Sequence, residues 1–439
     1  MVLNAFPKRP PIMTPRTPLS AASERTTAPA ITSLMQLALG NPALISLAAG
    51  FVDQATLPIE ATAREVASLM SHPAQARRAL QYGMTAGDLP LRQRLVTLLE
   101  TSEGVPSGAY ASILPRTIVT TGSQQLLYLI TEALIDPGDI VLVESPTYFV
   151  FLGVLESHGA RVIGIDTDDQ GLRLDSLDAT LASLESEGRL DRVKLIYTIS
   201  EHSNPSGVCL AANRRAPLVA LARKWSKAQR IFILEDSAYR GLTFDGPEPP
   251  SVWSHDPEGD TVIHARTFSK TFAPGLKTGY GVLPQALVEP ILRLKGNHDF
   301  GSSNLNQVLL ERLIADGSYQ HQVRTLVSRY RAKRDIMLEA LNKHFSSFDG
   351  VSWTHPSGGI YIWLTLPEGL DAGLAGPLFQ RCLEAGVVYV PGAYSFAEEP
   401  DAPPRNHIRL CYGVPDENAL VEGIRRLAAA FAACLNPVA

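Results

Sequence analysis

Several short polar groups in the sequence stand directly behind runs of aliphatic and β-branched residues. Gly122-Ser123-Gln124 follows Ile118–Thr121 and opens a helical pattern, where free backbone N–H groups and the helix dipole suit an anion such as phosphate. The same residues also read as a turn and a helix cap. Ser203-Asn204-Pro205-Ser206-Gly207 follows Val193–Thr198 and has the composition of a turn. Glu235-Asp236-Ser237-Ala238-Tyr239 follows Ile231–Leu234, placing an acid at the strand end and a tyrosine one helical turn later. Ser269-Lys270 follows Val262–Ala265, and Lys277 comes seven residues on, past Pro274 and Gly275. Each group alone has a structural explanation; their order and spacing together do not.

The elements that must carry these groups alternate. After Gly122 the apolar residues Leu126, Leu127, Leu129, Ile130, Ala133 and Leu134 recur at helical spacing. Asp136–Asp139 is a turn, Ile140–Val143 a buried strand, Thr147–Ser157 a helix and Val162–Ile165 the next strand. Strands alternating with helices imply a mostly parallel sheet covered on both faces, in which ligands sit outside the carboxyl ends of the strands. The polar groups lie at those ends. From about residue 310 the pattern changes to a long helical stretch, Glu311–Phe345, then strand-like Gly359–Trp363 and Val387–Val390, and an apolar helical tail, Glu417–Leu435. This is the pattern of a smaller α+β unit. The expected organisation is a flexible proline-rich arm at 1–28, a large domain at 60–310, and a small domain made from 29–59 and 311–439.

The composition sets outer limits. The chain has 439 residues, 45% of them hydrophobic, and 39 basic against 44 acidic side chains give a net charge of −5. A chain of this size buries enough surface to need no disulfide or metal staple. It has no overall positive field to draw nucleic acid or an anionic membrane. The four cysteines, Cys209, Cys382, Cys411 and Cys434, are far apart and form no CxxC pair, which fits free thiols in the cytoplasm. No run of 18 apolar residues is present, and no histidine has metal-ligand spacing, so neither a membrane span nor a metal is expected.

The segment TFSKTFAPGLKTGY around Lys270 resembles the lysine-bearing segment of fold-type I pyridoxal-phosphate enzymes of the class I/II aminotransferase family. The resemblance continues through QYGMTAGDLPLR (81–92), TTGSQQLL (120–127), ESPTYF (144–149), SNPSG (203–207), EDSAYR (235–240) and HIRLCYG (407–413), and covers about residues 40–430. The sequence is most similar to the subgroup of 2-aminoadipate and kynurenine aminotransferases. The resemblance implies an α/β fold with a mostly parallel seven-stranded sheet in the large domain. It also implies pyridoxal 5'-phosphate as cofactor and a ping-pong transfer of an amino group between an α-amino acid and an α-keto acid.

Roles follow for individual residues on the same footing. Lys270 would hold the cofactor's aldehyde carbon and, once released, move the substrate's Cα proton. Asp236 would keep the pyridine nitrogen protonated. Asn204 and Tyr239 would hydrogen-bond the ring hydroxyl, and Tyr148 would stack on the ring. Ser123, Gln124, Thr267, Ser269 and Lys277 would receive the phosphate, with Tyr82 reaching it from a second subunit of a homodimer. Arg409 would bind the substrate carboxylate, its guanidinium matching that group bidentately, with Asn204 beside it.

Three features depart from the family pattern. Lys277 replaces the usual arginine and lacks its planar fork. Glu201-His202-Ser203 replaces the residues that commonly precede the asparagine, and Ser206 stands where threonine is typical. The departures keep open a fold-type I enzyme turned to other carbanion chemistry, such as elimination, replacement, cyclisation or oxidation. His202 reads either as a loop residue or as an added acid or base. A cofactor-sensing transcription regulator fits poorly, because fewer than 40 residues, rich in proline, precede the matched region.

Overall fold

The computed structural model describes residues 17–27, 43–397 and 403–435, together with Thr32, Leu34, Gln36, Gly40 and Asn41. Most of the expected arm, residues 1–16 and 28, lies outside these. Its described part is not extended. Ser20 caps a short helix, Ala21–Arg25, and Arg25 donates from Nε and Nη2 to the Ser157 carbonyl at 3.3 and 3.2 Å. The prolines that oppose helix formation, Pro7, Pro10, Pro11, Pro15 and Pro18, all precede this short helix.

Strand β1 (Ile45–Ser46) lies outside the main sheet. That sheet is built from β2 (Thr117–Thr120), β3 (Ile140–Ser145), β4 (Arg161–Asp168), β5 (Gly171–Leu172), β6 (Val193–Thr198), β7 (Phe232–Asp236), β8 (Val262–Thr267) and β9 (Gly279–Val282). Their order is β2-β9-β8-β7-β6-β3-β4-β5. The five central strands β8, β7, β6, β3 and β4 are parallel, whereas β9 runs antiparallel to both β2 and β8. The expected seven strands are present, and the two-residue β5 adds an eighth at the edge, antiparallel to β4. Strands such as β6 and β7 are apolar and buried along nearly their whole length because helices cover both faces.

A second sheet has the order β10-β11-β14-β13, from β10 (Ser352–Trp353), β11 (Tyr361–Thr365), β13 (Val390–Pro391) and β14 (His407–Cys411). β12 (Val387–Val388) pairs instead with β1, Ile45 opposite Val387, so the two ends of the chain meet. The expected Val387–Val390 strand is thus shared between two sheets. Gly317, at φ 84°, divides the expected long helix into Asn304–Ala315 and Ser318–Phe345. Only glycine adopts that conformation without strain. Tyr239 sits in a turn rather than on a helix, because the chain reverses at Gly241, whose φ is 92°. No helix among the described residues is long and apolar enough to cross a membrane.

Candidate active site

The carboxyl ends of β6, β7 and β8 open toward the second sheet, and the polar groups gather there. Successive side chains of a strand point to opposite faces, so Glu235 and Asp236 diverge. Asp236 accepts from the Tyr197 hydroxyl at 3.0 Å through Oδ2, while Oδ1 is buried with no hydrogen-bond partner among the described residues. Burial pushes its carboxyl up to about 6, the Tyr197 bond opposing that shift. An incomplete buried carboxylate is costly unless a donor or cation meets it. Lys270, three residues beyond β8, donates from Nζ to the Gly50 carbonyl at 2.7 Å. Burial pulls its ammonium down to about 8, and the charges of Arg409 and Lys277 add to that, so a reactive neutral amine is accessible near physiological pH.

The residues expected to receive the phosphate converge because of one close approach. Thr267 pairs across the sheet with Gly279, and a Cβ built on Gly279 would lie 2.7 Å from the Ser123 nitrogen and 2.6 Å from the Gly122 carbonyl carbon. Only glycine lets the Gly122–Gln124 turn, itself entered at φ 69°, lie against the end of β8. The Thr267 hydroxyl donates to Ser269 Oγ at 3.0 Å and accepts from the Ser269 N–H at 3.2 Å. Lys277 stands exposed in a left-handed turn at φ 48°, close enough to Lys270 for their charges to interact. The result is a cup with backbone N–H groups at a helix start, two hydroxyls and a lysine.

Arg409 rises from β14 into the same space and is buried. Its Nη1 donates to Asn204 Oδ1 at 2.9 Å and its Nη2 to the Ala48 carbonyl at 2.9 Å, while Nε has no hydrogen-bond partner among the described residues. The guanidinium lies 4.4 Å from the Tyr361 ring centre and 5.3 Å from that of Phe149. Tyr239 donates to the Tyr361 hydroxyl at 3.3 Å, and Tyr148 begins the Phe149–His158 helix beside them. The charge of Asp236 bears on the Tyr148 hydroxyl, whose pKa burial raises.

Lys270, Asp236, Asn204, Tyr239, Tyr148, Thr267, Ser269, Ser123, Gln124, Lys277 and Arg409 therefore share one region. Tyr82 does not: it is 82% exposed, its ring edge-on to Phe300 at 5.7 Å. Sequence reasoning missed Tyr197, Tyr361 and the carbonyls of Ala48 and Gly50. Tyr197, a polar tip near the end of an otherwise apolar strand, was the one with a visible signal. The unusual Glu201-His202 pair faces away from catalysis. Glu201 accepts from Arg215 at 2.8 Å and Arg240 at 2.9 Å. His202 is wedged between Cys209 Sγ (3.1 Å) and Thr243 Oγ1 (2.9 Å), and burial pulls its ring down to about 4.

These donors fit pyridoxal phosphate: an unpartnered carboxylate for a protonated ring nitrogen, a deprotonatable lysine for an aldehyde, and a cup for a phosphate. Comparison with known proteins agrees. The model of the family "Aminotransferase class I and II" matches residues 42–427. The chain is 34% identical to aromatic-amino-acid aminotransferase 1 of Thermococcus litoralis, over 88% of this chain and 87% of that one. It is 29% identical to 2-aminoadipate transaminase of Thermus thermophilus, over 89% and 91%. The crystal structure of Pyrococcus horikoshii kynurenine aminotransferase superposes with a TM-score of 0.86 at 32% identity, covering 95% of this chain and 98% of that one.

Proposed function

Because the chain belongs to the class I and II aminotransferase family and transfers amino groups with pyridoxal phosphate, we propose that its preferred amino donors carry aromatic or other uncharged side chains. The observation that carries this reading is the setting of Arg409: a single guanidinium faced by the rings of Tyr361 and Phe149. The aromatic and kynurenine aminotransferases it resembles support the same class.

The bound cofactor supplies an electron sink for the pair left when a Cα proton departs. Asp236 holds a proton on the ring nitrogen, which its unpartnered Oδ1 is free to meet. Lys270 Nζ takes the proton from Cα and returns it, a task suited to an amine near pKa 8. Arg409 binds the carboxylate of the amino acid and then of the keto acid, so one residue serves both half-reactions. Asn204 and Tyr239 orient the ring oxygen, and Tyr148 covers the ring face. Ser123, Gln124, Thr267, Ser269 and Lys277 hold the phosphate. Their lysine keeps the charge of the usual arginine without its fork.

The functional unit is a homodimer in the cytoplasm. Leu80, Tyr82, Met84 and Phe300 are 66%, 82%, 74% and 61% exposed, an apolar surface that a second copy would cover while Tyr82 reaches that copy's phosphate. The widely spaced cysteines suit a reducing compartment.

Purified protein is mixed with a panel of amino acids, and the cofactor's absorption is followed with and without 2-oxoglutarate. Aromatic donors are expected to convert the cofactor to its amino form, and the keto acid to reverse the change. Conversion by dicarboxylic donors alone would overturn the specificity. Ammonia release without amino transfer would favour the carbanion alternative.

A further inference from the structure

The link between the Gln285–His298 helix and the Asn304–Ala315 helix, together with the adjoining turns of both helices, touches both walls of the phosphate cup. Lys295 Nζ, on a fully buried side chain, donates to both oxygens of Asp299 at 2.8 Å and to Ser302 Oγ at 3.1 Å. Asp299 Oδ2 accepts from Gln125 Nε2 at 2.7 Å, and Gln125 Oε1 accepts from the Thr121 N–H at 2.8 Å. The Thr121 hydroxyl donates to Ser302 Oγ at 3.1 Å. The residue just before Gly122–Gln124 is thus held at its N–H and its hydroxyl from one source. On the opposite wall, Asn306 Nδ2 donates to the Leu276 carbonyl at 2.9 Å, one residue before Lys277.

The same link carries the exposed aromatic surface. Phe300 is held at φ 57° with its ring against Tyr82, and its carbonyl accepts from Thr85 Oγ1 at 2.8 Å. Gln307 donates to the Ser302 carbonyl at 2.9 Å and accepts from the Asp88 N–H at 2.8 Å. Lys295 is buried and Asp299 only partly so, and an ion pair taken out of water is often no gain in stability over an apolar pair of like volume. What such a pair does provide is fixed directions, here toward Gln125 and Ser302.

We propose that Lys295, Asp299 and Gln125 are positioning residues that set the separation of the two walls of the phosphate cup and tie it to the Tyr82–Phe300 surface. Phosphate occupancy and pairing with a second copy are then coupled. The coupling rests on the homodimer reading above; the positioning does not.

The test compares two ligands of the apoprotein, pyridoxal phosphate and pyridoxal, which differ only in the phosphate. Their dissociation constants are read from the absorption of the lysine adduct. Gln125→Met is expected to weaken pyridoxal phosphate about tenfold or more, a loss of about 1.4 kcal/mol, and to leave pyridoxal within about twofold. Equal weakening of both, or of neither, overturns the positioning. If Gln125→Met does not fold, the volume-matched Lys295→Met/Asp299→Leu double variant gives the same comparison. Sedimentation of apo and loaded protein reads the coupling. Loading is expected to tighten the wild-type dimer, and Gln125→Met to shrink that tightening severalfold with the apo dimer unchanged. A wild-type dimer indifferent to loading overturns the coupling, and a wild type that is monomeric throughout overturns the dimer reading instead.

Discussion

Glu235 and Asp236 are neighbours at the end of one strand, both buried, and the chain completes one and leaves the other open. Glu235 accepts from Ser200 Oγ (2.6 Å), the Val252 N–H (2.7 Å), the Trp253 N–H (3.0 Å) and His264 Nδ1 (2.9 Å). Asp236 has Tyr197 on one oxygen, and the other has no side-chain or cationic partner among the described residues. The contrast extends to whole regions. Behind the sheet, Glu201 lies between Arg215 and Arg240, and Arg240 also pairs with Glu103 at 2.8 Å. Burial alone would raise the Glu201 carboxyl, but the two guanidiniums hold it well below the usual range. In front of the sheet, Lys270 and Arg409 donate to carbonyl and amide oxygens and pair with no carboxylate among the described residues. Buried ions paired with an opposite charge fix loops, and buried ions left without one await a ligand.

The sharpest way to break this contrast is to remove one group from each side. Lys270→Ala should lower transamination about a thousandfold or more and abolish the covalent adduct band, with little change in the unfolding midpoint of the apoprotein. Glu201→Ala removes the carboxylate that the buried Arg215 pairs with and leaves the buried Arg240 to Glu103 and Glu248. It should cost about 3–5 kcal/mol in urea unfolding while the molecules that remain folded keep their kcat/KM. A large kinetic loss without a stability loss would move Glu201 into the active site.

Neighbouring carboxylates offer a test of opposite signs. Burial raises Asp236 to about 6 from its ordinary 3.8, so apoprotein stability is lost as pH climbs through that interval. Asp236→Asn should therefore stabilise the apoprotein at pH 7 by on the order of 1–3 kcal/mol while disabling catalysis. For Glu235 the balance reverses. Burial raises it, but its bond and attraction to His264 lower it further, so Glu235→Gln should destabilise. Calorimetric scans of the two variants showing the same sign would end the distinction.

The smallest effect is a pH profile. Since Lys270 is pulled down to about 8, capture of pyridoxal phosphate by the apoprotein should slow about tenfold per pH unit below that value and level off above it. Stopped-flow absorbance checks this, and a midpoint near 10 would mean that the lysine is not desolvated.

The main sheet was legible because its strands are continuous apolar runs: β6 was read with the bounds it has, and β3 and β8 were read short by two residues. The site motifs were legible because each follows such a run. The ends of elements were less so. Ala238–Gly241 carries helix-compatible residues but turns at Gly241, and the stretch read as a long helix breaks at Gly317, because left-handed φ is a property of the backbone path. The place of His202 beside Asn204 left both a loop residue and an added acid or base open. The partners of Glu201 and His202, which are Cys209, Arg215, Arg240 and Thr243, all lie further along the chain, the most distant 41 residues on, and only folding brings them together.

By itself, the sequence determined the fold class, the cofactor chemistry and the identity of the residues at the strand ends, because these depend on local apolar pattern and on motif order. Tertiary structure alone decided which buried charges are closed and which are open. Partner choice for Asp236, Glu235, Lys270 and Arg409 is made across separations that no local pattern encodes, such as the 220 residues between Gly50 and Lys270 and the 361 between Ala48 and Arg409. In a medium of low dielectric, that choice sets whether a charge serves the scaffold or the substrate.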